Sequence, residues 1–208
     1  MLTLYGHSNR TAANVLKLRA ALAETGLDYQ YVALDLSQGE QHKPEYLAIN
    51  PHGKVPVLVD DDFALPESDA ILWYLAEKCP AAKLLPADLH ARARVRQWCD
   101  FACSSLYTTS YELYLHTQYG DAANHSTWVA ERAKTALTRA LGVLEKRLAG
   151  RQFVATETFT IADLDVAAVV HMLHTRAQLN LSECPNIEAH YRAVSQRPAW
   201  VAALADKP

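Results

Sequence analysis

The stretch "HGKVPVLVDD", residues 52–61, constrains this chain more than any other. Val55, Val57, Leu58 and Val59 read as a buried strand, yet Pro56 stands inside the run. Proline has no N–H for a strand ladder, so it is confined to edges, first positions and bulges. Any sheet this chain builds must let one strand open on a proline and break from normal pairing there.

The flanking patterns supply the rest of that sheet. "LTLYG" alternates as a short first strand, and Val15, Leu18 and Leu22 share one helical face up to a stop at Gly26. Residues 29–36, "YQYVALDL", form a second strand, followed by the polar stretch "SQGEQHKPE" and a short helical piece at 45–48. A third strand at 55–59 passes through the turn Asp60-Asp61-Asp62 into a fourth, "FAL". From Ser68 onward Ile71, Leu72 and Leu75 mark a helix that closes at "EKCP", with Lys78 in its last turn and Pro80 beyond it. The order is βαβ-α-ββα.

The proline-bearing segment "CPAAKLLPAD" marks a boundary between Cys79 and Asp88, giving domains at 1–79 and 88–208. No strand run follows it. Val95, Trp98, Cys99, Ala102 and Leu106 recur at helical spacing, as do Val129, Ala133, Leu137, Leu141, Leu144 and Leu148. "IADLDVAAVVHMLH" is apolar nearly all round, as a buried central helix must be, and two shorter helices at 187–196 and 199–205 finish the chain. The predicted fold class is an α/β domain followed by an all-α helical bundle. Thr160, with Asp163 three residues on and Phe159 and Leu164 as a staple, reads as the capped start of the central helix, a structural role.

Composition narrows the function classes. The 208 residues suffice for two small domains, and a formal net charge of −3 offers no surface for a polyanion, so nucleic acid is not an expected partner. The start of the sequence has no leader pattern and no apolar run is long enough to span a membrane, so a cytoplasmic location is expected. Four cysteines, Cys79, Cys99, Cys103 and Cys184, form no C-x-x-C pair, which disfavours a disulfide framework and a metal site alike. The seven glycines contain no phosphate-binding loop. His171 and His174 read as satisfied core residues without a carboxylate partner, and Arg92, Arg94 and Arg96 as a solvated or subunit-facing helix surface.

A βαβ-α-ββα domain whose third strand opens on proline resembles the thioredoxin fold, in which that proline is cis and lies beside the active site. The bend exposes the backbone of Val55 to a peptide-like ligand that can pair with it as an extra strand. "LPESDAI" sets Glu67 and Ser68 at the start of the next helix, where free amides and the dipole hold a carboxylate, although Ser68 alone also suits a plain N-cap. "NPHGKVPVLVDDDFALPESDAILWYLAEK", together with "FTIADLDVA", is similar to the cytosolic glutathione S-transferases over essentially the whole chain. "GEQHKPEYLAINPHGKVP" looks closest to bacterial and plant phi- or theta-like members.

That resemblance implies a cytoplasmic, homodimeric, detoxifying transferase with glutathione as substrate and no metal. It implies that Val55 pairs with the cysteinyl part of glutathione, that Pro56 is cis, and that Glu67 and Ser68 bind the γ-glutamyl end. Lys54 and His42, with Gln41, would face the glycine carboxylate, while His42 and Lys43 also suit an ordinary exposed loop. Serine-type members carry a hydroxyl two places before the Asn of an "N-V-x-K/R-V" helix, but here "ANVLKL" puts Ala12 there. Thr11 ranks first as the thiol-activating group and Ser8 second; Asn9 competes, and Tyr5 reads as mostly structural. No cysteine lies in "HSNRTAAN", which disfavours mixed-disulfide chemistry.

The electrophile is expected between the domains, along Tyr107, Tyr111 and Tyr114, a stripe that core or dimer packing explains equally well. The alternative function is a non-catalytic glutathione- or ligand-binding protein of the same fold.

Overall fold

The computed structural model describes residues 1–177 and 179–205; the expected domain end at residue 208 lies outside them. Four strands form one sheet in the order β2-β1-β3-β4. Strand β1 (Leu2–His7) is parallel to β2 (Tyr29–Leu34) and antiparallel to β3 (Val57–Asp60), which in turn is antiparallel to β4 (Phe63–Pro66). Helix α1 (Ala13–Thr25) makes the crossover between the parallel strands, α2 (Pro44–Leu47) precedes β3, and α3 (Ser68–Lys78) follows β4. This is the thioredoxin-like order.

Alternation sends the side chains of β1 to two different cores. Leu2 and Leu4, with Leu58 of β3, are buried on one side. Tyr5 points to the other, where Leu34, Tyr46 and Val57 form a cluster joined by Leu36, Ile49, Val55 and Val59. The spacing of Val15, Leu18 and Leu22 predicts a single apolar face for α1, but α1 is buried almost all round from Ala13 to Leu22, Lys17 and Arg19 included. Contacts with both α3 and α9 (Pro198–Leu204) explain the difference.

Two strand limits differ from expectation by two residues, while β1, β3 and β4 each run one residue further at their ends. Strand β2 ends at Leu34 rather than at residue 36, because the Asp35 carboxylate accepts from the backbone N–H of Ser37 at 2.9 Å and turns the chain. Strand β3 begins at Val57 rather than at residue 55, directly after the cis Val55–Pro56 bond. Pro56 offers no donor to extend the ladder.

The described residues divide into two compact units, one of Met1–Leu84 with 197–205, the other of Leu85–Gln196. The sequence reading runs the helical domain through the last helix; α9 instead packs on α1 in the first unit. Trp200 and Ala203 bury its apolar face, and the Arg197 guanidinium grips Glu24 of α1 through two nitrogens at 2.5 and 2.9 Å.

The second unit is helical among its described residues. The periodicity through Val95 and Leu106 predicts one long helix; the structure has α4 (Leu89–Phe101), a widened π turn over Ala102–Tyr107, and α5 (Thr108–Leu115). The interruption follows from "CSSLYTTS", whose hydroxyls bond back to the main chain. Ser104 donates to Asp100 O at 2.7 Å, Thr108 to Cys103 O at 3.0 Å, and Ser110 to Leu106 O at 2.6 Å.

Helix α6 (Thr127–Leu148) buries the expected stripe of Ala133, Leu137, Leu141, Leu144 and Leu148, while Val129, in its first turn, is only partly buried. Helix α7 (Ile161–Thr175) is buried on every side from Ile161 to Leu173 and packs against α4 and α8 (Pro185–Ser195). Its start is tied by Asp163, which accepts from the Thr160 backbone N–H at 2.8 Å and the Val154 N–H at 2.7 Å. His171 is a core residue, bonded through Nδ1 to the Tyr191 hydroxyl at 2.8 Å. His174 does have a carboxylate neighbour, Glu188 Oε1 at 3.2 Å, supplied by α8 and invisible to spacing within α7.

Candidate functional site

Strand register gathers the candidate residues. Tyr5 lies across from Val57, and Pro66 lies across from Val57 on the other side. Continuing each strand past that row brings the chain after Tyr5, the Val55–Pro56 pair and the Glu67–Ser68 pair to the same end of the sheet. The parallel partner β2 ends there as well, so the turns over Leu36–Gln38 and Glu40–His42 leave from that end too. Four segments distant in sequence are thereby directed to one end of the sheet.

The chain at Glu67 is held in an uncommon conformation. Its φ of 71° lies in the left-handed region, which a side chain other than glycine's enters at a cost of about 1–3 kcal/mol. Glu67 is the residue before α3, and Ser68 is the first residue inside it, so the free amides of the first turn point to this end. Asp69, one residue on, pairs with the nearly buried Lys17 ammonium of α1. That pair anchors the start of α3 to α1. Lys17 is not among the residues expected at the site, although a lysine within the apolar run "NVLKLRAAL" signals a paired charge.

Lys54, Gln41 and His42 are brought together by Gly53. Its φ is +61°, and a Cβ there would lie 2.9 Å from His42 Nδ1 and 3.2 Å from the Gln41 carbonyl oxygen. Only glycine lets these segments approach so closely. The Lys54 carbonyl accepts from the Tyr46 hydroxyl at 2.5 Å and the Asn50 side chain at 2.8 Å, which settles the chain just before Val55. Gln41 Oε1 is buried without a hydrogen-bond partner, whereas the His42 side chain is exposed.

The segment between β1 and α1 carries the candidate hydroxyls. His7 Nδ1 accepts from the Asn9 backbone N–H at 2.7 Å, with Ser8 Oγ 3.3 Å away. Asn9 Oδ1 in turn accepts from both the backbone N–H and the hydroxyl of Thr11, at 3.1 and 2.8 Å. Thr11 and Ser8 therefore lie in one hydrogen-bonded loop, immediately before the start of α1. At Ala12 no side chain caps that helix, and no acidic residue of its first turn meets the positive end of its dipole. His7 was not among the sequence candidates, and nothing in the local pattern singles it out.

Tyr5 packs rather than reaching into this loop. Its ring lies 6.0 Å from that of Tyr46, inside the α2-side cluster. In the helical unit Tyr107 and Tyr111 stack nearly parallel, with centroids 5.7 Å apart and planes 7° off, and the ladder continues through Tyr114 to Tyr119. Tyr111 is 41% exposed, and burial of the rest pushes its phenol up from its ordinary value. Among the described residues no group of three or more His, Cys, Asp or Glu side chains is arranged to hold a metal ion. No described helix is long and apolar enough to cross a membrane.

A thioredoxin-like domain that gathers residues 7–11, 53–56 and 66–68 at one end of its sheet, followed by a unit that is all-α among its described residues, defines the class of protein. Residues 1–77 match the family model of the glutathione S-transferase N-terminal domain, and residues 109–198 that of the C-terminal domain. Glutathione S-transferase Z1 of Arabidopsis thaliana is 34% identical over 99% of this chain and 92% of its own length. Among solved structures, the glutathione transferase of Burkholderia graminis with two glutathione molecules bound per subunit is 28% identical, with a TM-score of 0.90 over 99% of this chain and 88% of that one. The nitrogen regulation fragment of the yeast prion protein Ure2p is 27% identical, also with a TM-score of 0.90, over 99% of this chain and 96% of that one. The chain belongs to the glutathione S-transferase family.

Proposed function

We propose that this protein binds glutathione at the end of the sheet described above and activates its thiol as thiolate for attack on a small hydrophobic electrophile. The observation that carries this reading is the strand register, which brings the hydroxyl loop, the Val55–Pro56 pair and the start of α3 to one place. Ladder pairing of β3 starts at Val57, so Val55 lies outside it and its backbone is assigned to the cysteinyl part of the ligand. Glu67 takes the γ-glutamyl ammonium, and Ser68 with the first-turn amides of α3 takes its carboxylate. Lys54, Gln41 and His42 face the glycine carboxylate.

The chemistry asked of the protein is modest. A free thiol titrates near pH 8.5, and the thiolate is the nucleophile. One hydrogen bond to a charged group is worth about 1.5–3 kcal/mol, enough to lower that value by about 1–2 pH units. Thr11 is the first proposed donor and Ser8 the second, with the uncapped start of α1 adding its dipole. The tyrosine ladder of α5 is the aromatic surface proposed for the electrophile. A two-fold homodimer and residence in the cytoplasm belong to the same proposal.

A second reading is a glutathione-binding protein without turnover. It is favoured by the likeness to the Ure2p nitrogen regulation fragment, and by the Thr11 hydroxyl proton already being given to Asn9. Following the ultraviolet absorbance of the thiolate against pH, with glutathione bound, separates the two. The transferase reading expects ionisation well below pH 8.5, lost in Thr11→Ala or Ser8→Ala and kept in Tyr5→Phe. Binding without a shift in ionisation would establish the second reading instead, and no binding would overturn both.

A further inference from the structure

We infer that Tyr31 of β2, working with Arg10 and Arg19, is a positioning residue for thiol activation: it clamps the loop that carries Ser8 and Thr11. This rests on the transferase reading above and adds residues to it that lie outside the ligand-facing end.

The Tyr31 hydroxyl donates to the main-chain carbonyl of His7 at 2.6 Å. The guanidinium carbons of Arg10 and Arg19 lie 4.8 and 5.8 Å from the centre of its ring, within cation–π range. Arg19, only 4% exposed, donates to the Arg10 carbonyl at 3.4 Å and to the Ala205 carbonyl at 3.2 Å. The loop is thus gripped at residues 7 and 10 through its backbone, by side chains from β2 and α1. Gly6 makes the grip possible, since a Cβ at that position would lie 2.4 Å from the Tyr31 hydroxyl oxygen.

Hydrogen bonds carry the grip from His7 to the candidate donors. Tyr31 holds the His7 carbonyl, His7 Nδ1 holds the Asn9 amide, and Asn9 Oδ1 holds both the amide and the hydroxyl of Thr11. A shift at His7 is therefore transmitted through Asn9 to the Thr11 backbone, the point from which the Thr11 hydroxyl must turn from Asn9 to the ligand sulfur and meet it to within a few tenths of an ångström to be useful. Burial pushes the Tyr31 phenol up to about 12, so it stays a neutral O–H donor over the range in which a bound thiol would ionise.

The test is the conservative change Tyr31→Phe, which keeps the ring and removes the hydroxyl, with Arg10→Met as a second variant that withdraws the cation and keeps its stem. For each protein the ionisation of bound glutathione is followed by thiolate absorbance against pH, glutathione affinity by calorimetry, and single-turnover rate with a nitro-activated aryl chloride. In Tyr31→Phe the bound thiol should ionise at higher pH and the rate below that pH should fall about two- to tenfold, the range one lost hydrogen bond spans. Glutathione affinity should change by less than about twofold, because the groups holding the rest of the tripeptide are untouched. Arg10→Met should move the same quantities in the same direction by less.

A Tyr31→Phe protein with the wild-type ionisation would overturn the clamp, as would one that only binds glutathione more weakly. If the wild-type protein itself binds glutathione without lowering its thiol, the transferase reading falls first and the clamp with it.

Discussion

Asp163 is a fully buried carboxylate, and replacing it should cost more than any ordinary helix cap. Its Oδ1 accepts from the Val154 amide at 2.7 Å and lies 3.0 Å from His190 Nε2; its Oδ2 accepts from the Thr160 amide at 2.8 Å and the Thr160 hydroxyl at 3.2 Å. In Asp163→Ala the hydroxyl can rotate, but the two amides cannot. Each buried amide left without an acceptor costs about 1–3 kcal/mol, so the loss for the two should be about 2–6 kcal/mol. With a urea dependence of about 2 kcal/mol per molar for a domain of this size, the unfolding midpoint falls by about 1–3 M. Asp163→Asn keeps one carbonyl acceptor and should lose about half as much. Equilibrium urea unfolding followed by helical circular dichroism reads both. A loss near 1 kcal/mol for Asp163→Ala, the typical value for an N-cap, would refute the reasoning and reduce Asp163 to a simple cap.

Two further outcomes follow from the same structure. Burial, with His174 and Arg176 nearby, holds the His171 imidazole below its ordinary value of 6.5. The unfolded chain therefore takes up that proton first, and stability falls as pH drops below about 6.5 toward the folded-state value; His171→Leu should flatten the urea midpoint between about pH 6.5 and 5, and equal slopes in the two proteins would count against it. At Gly53, Gly53→Ala forces a side chain into φ +61° and against His42 and Gln41, so glutathione affinity measured by calorimetry should fall by about tenfold, and unchanged affinity would detach those residues from the ligand.

The local signals were sufficient for most of the fold. Alternation in "LTLYG", the proline in "KVPVLV", the stop at Gly26 and the apolar completeness of "IADLDVAAVVHMLH" each determine an element from neighbours within a few residues. Backbone sterics and helical or strand periodicity act over that range, so they can be read from a string of letters. Pro56 and the Glu67–Ser68 pair were legible for the same reason.

What the sequence could not disclose depends on which distant residues meet. Val95 through Leu106 has unbroken helical spacing, and only the hydroxyls' choice of backbone carbonyls puts a π turn there. The last helix has the look of any bundle helix, yet Arg197 and Trp200 take it to α1. His7 and Tyr31 are unremarkable as letters, their roles coming from partners 2 and 24 residues away along the chain; Lys17 stands out within an apolar run, but its partner lies 52 residues away. The sequence by itself determined the elements, the proline-opened strand and the family. The tertiary structure decided which side chains hold the hydroxyl loop, because register and packing energies belong to pairs of segments and not to either segment alone.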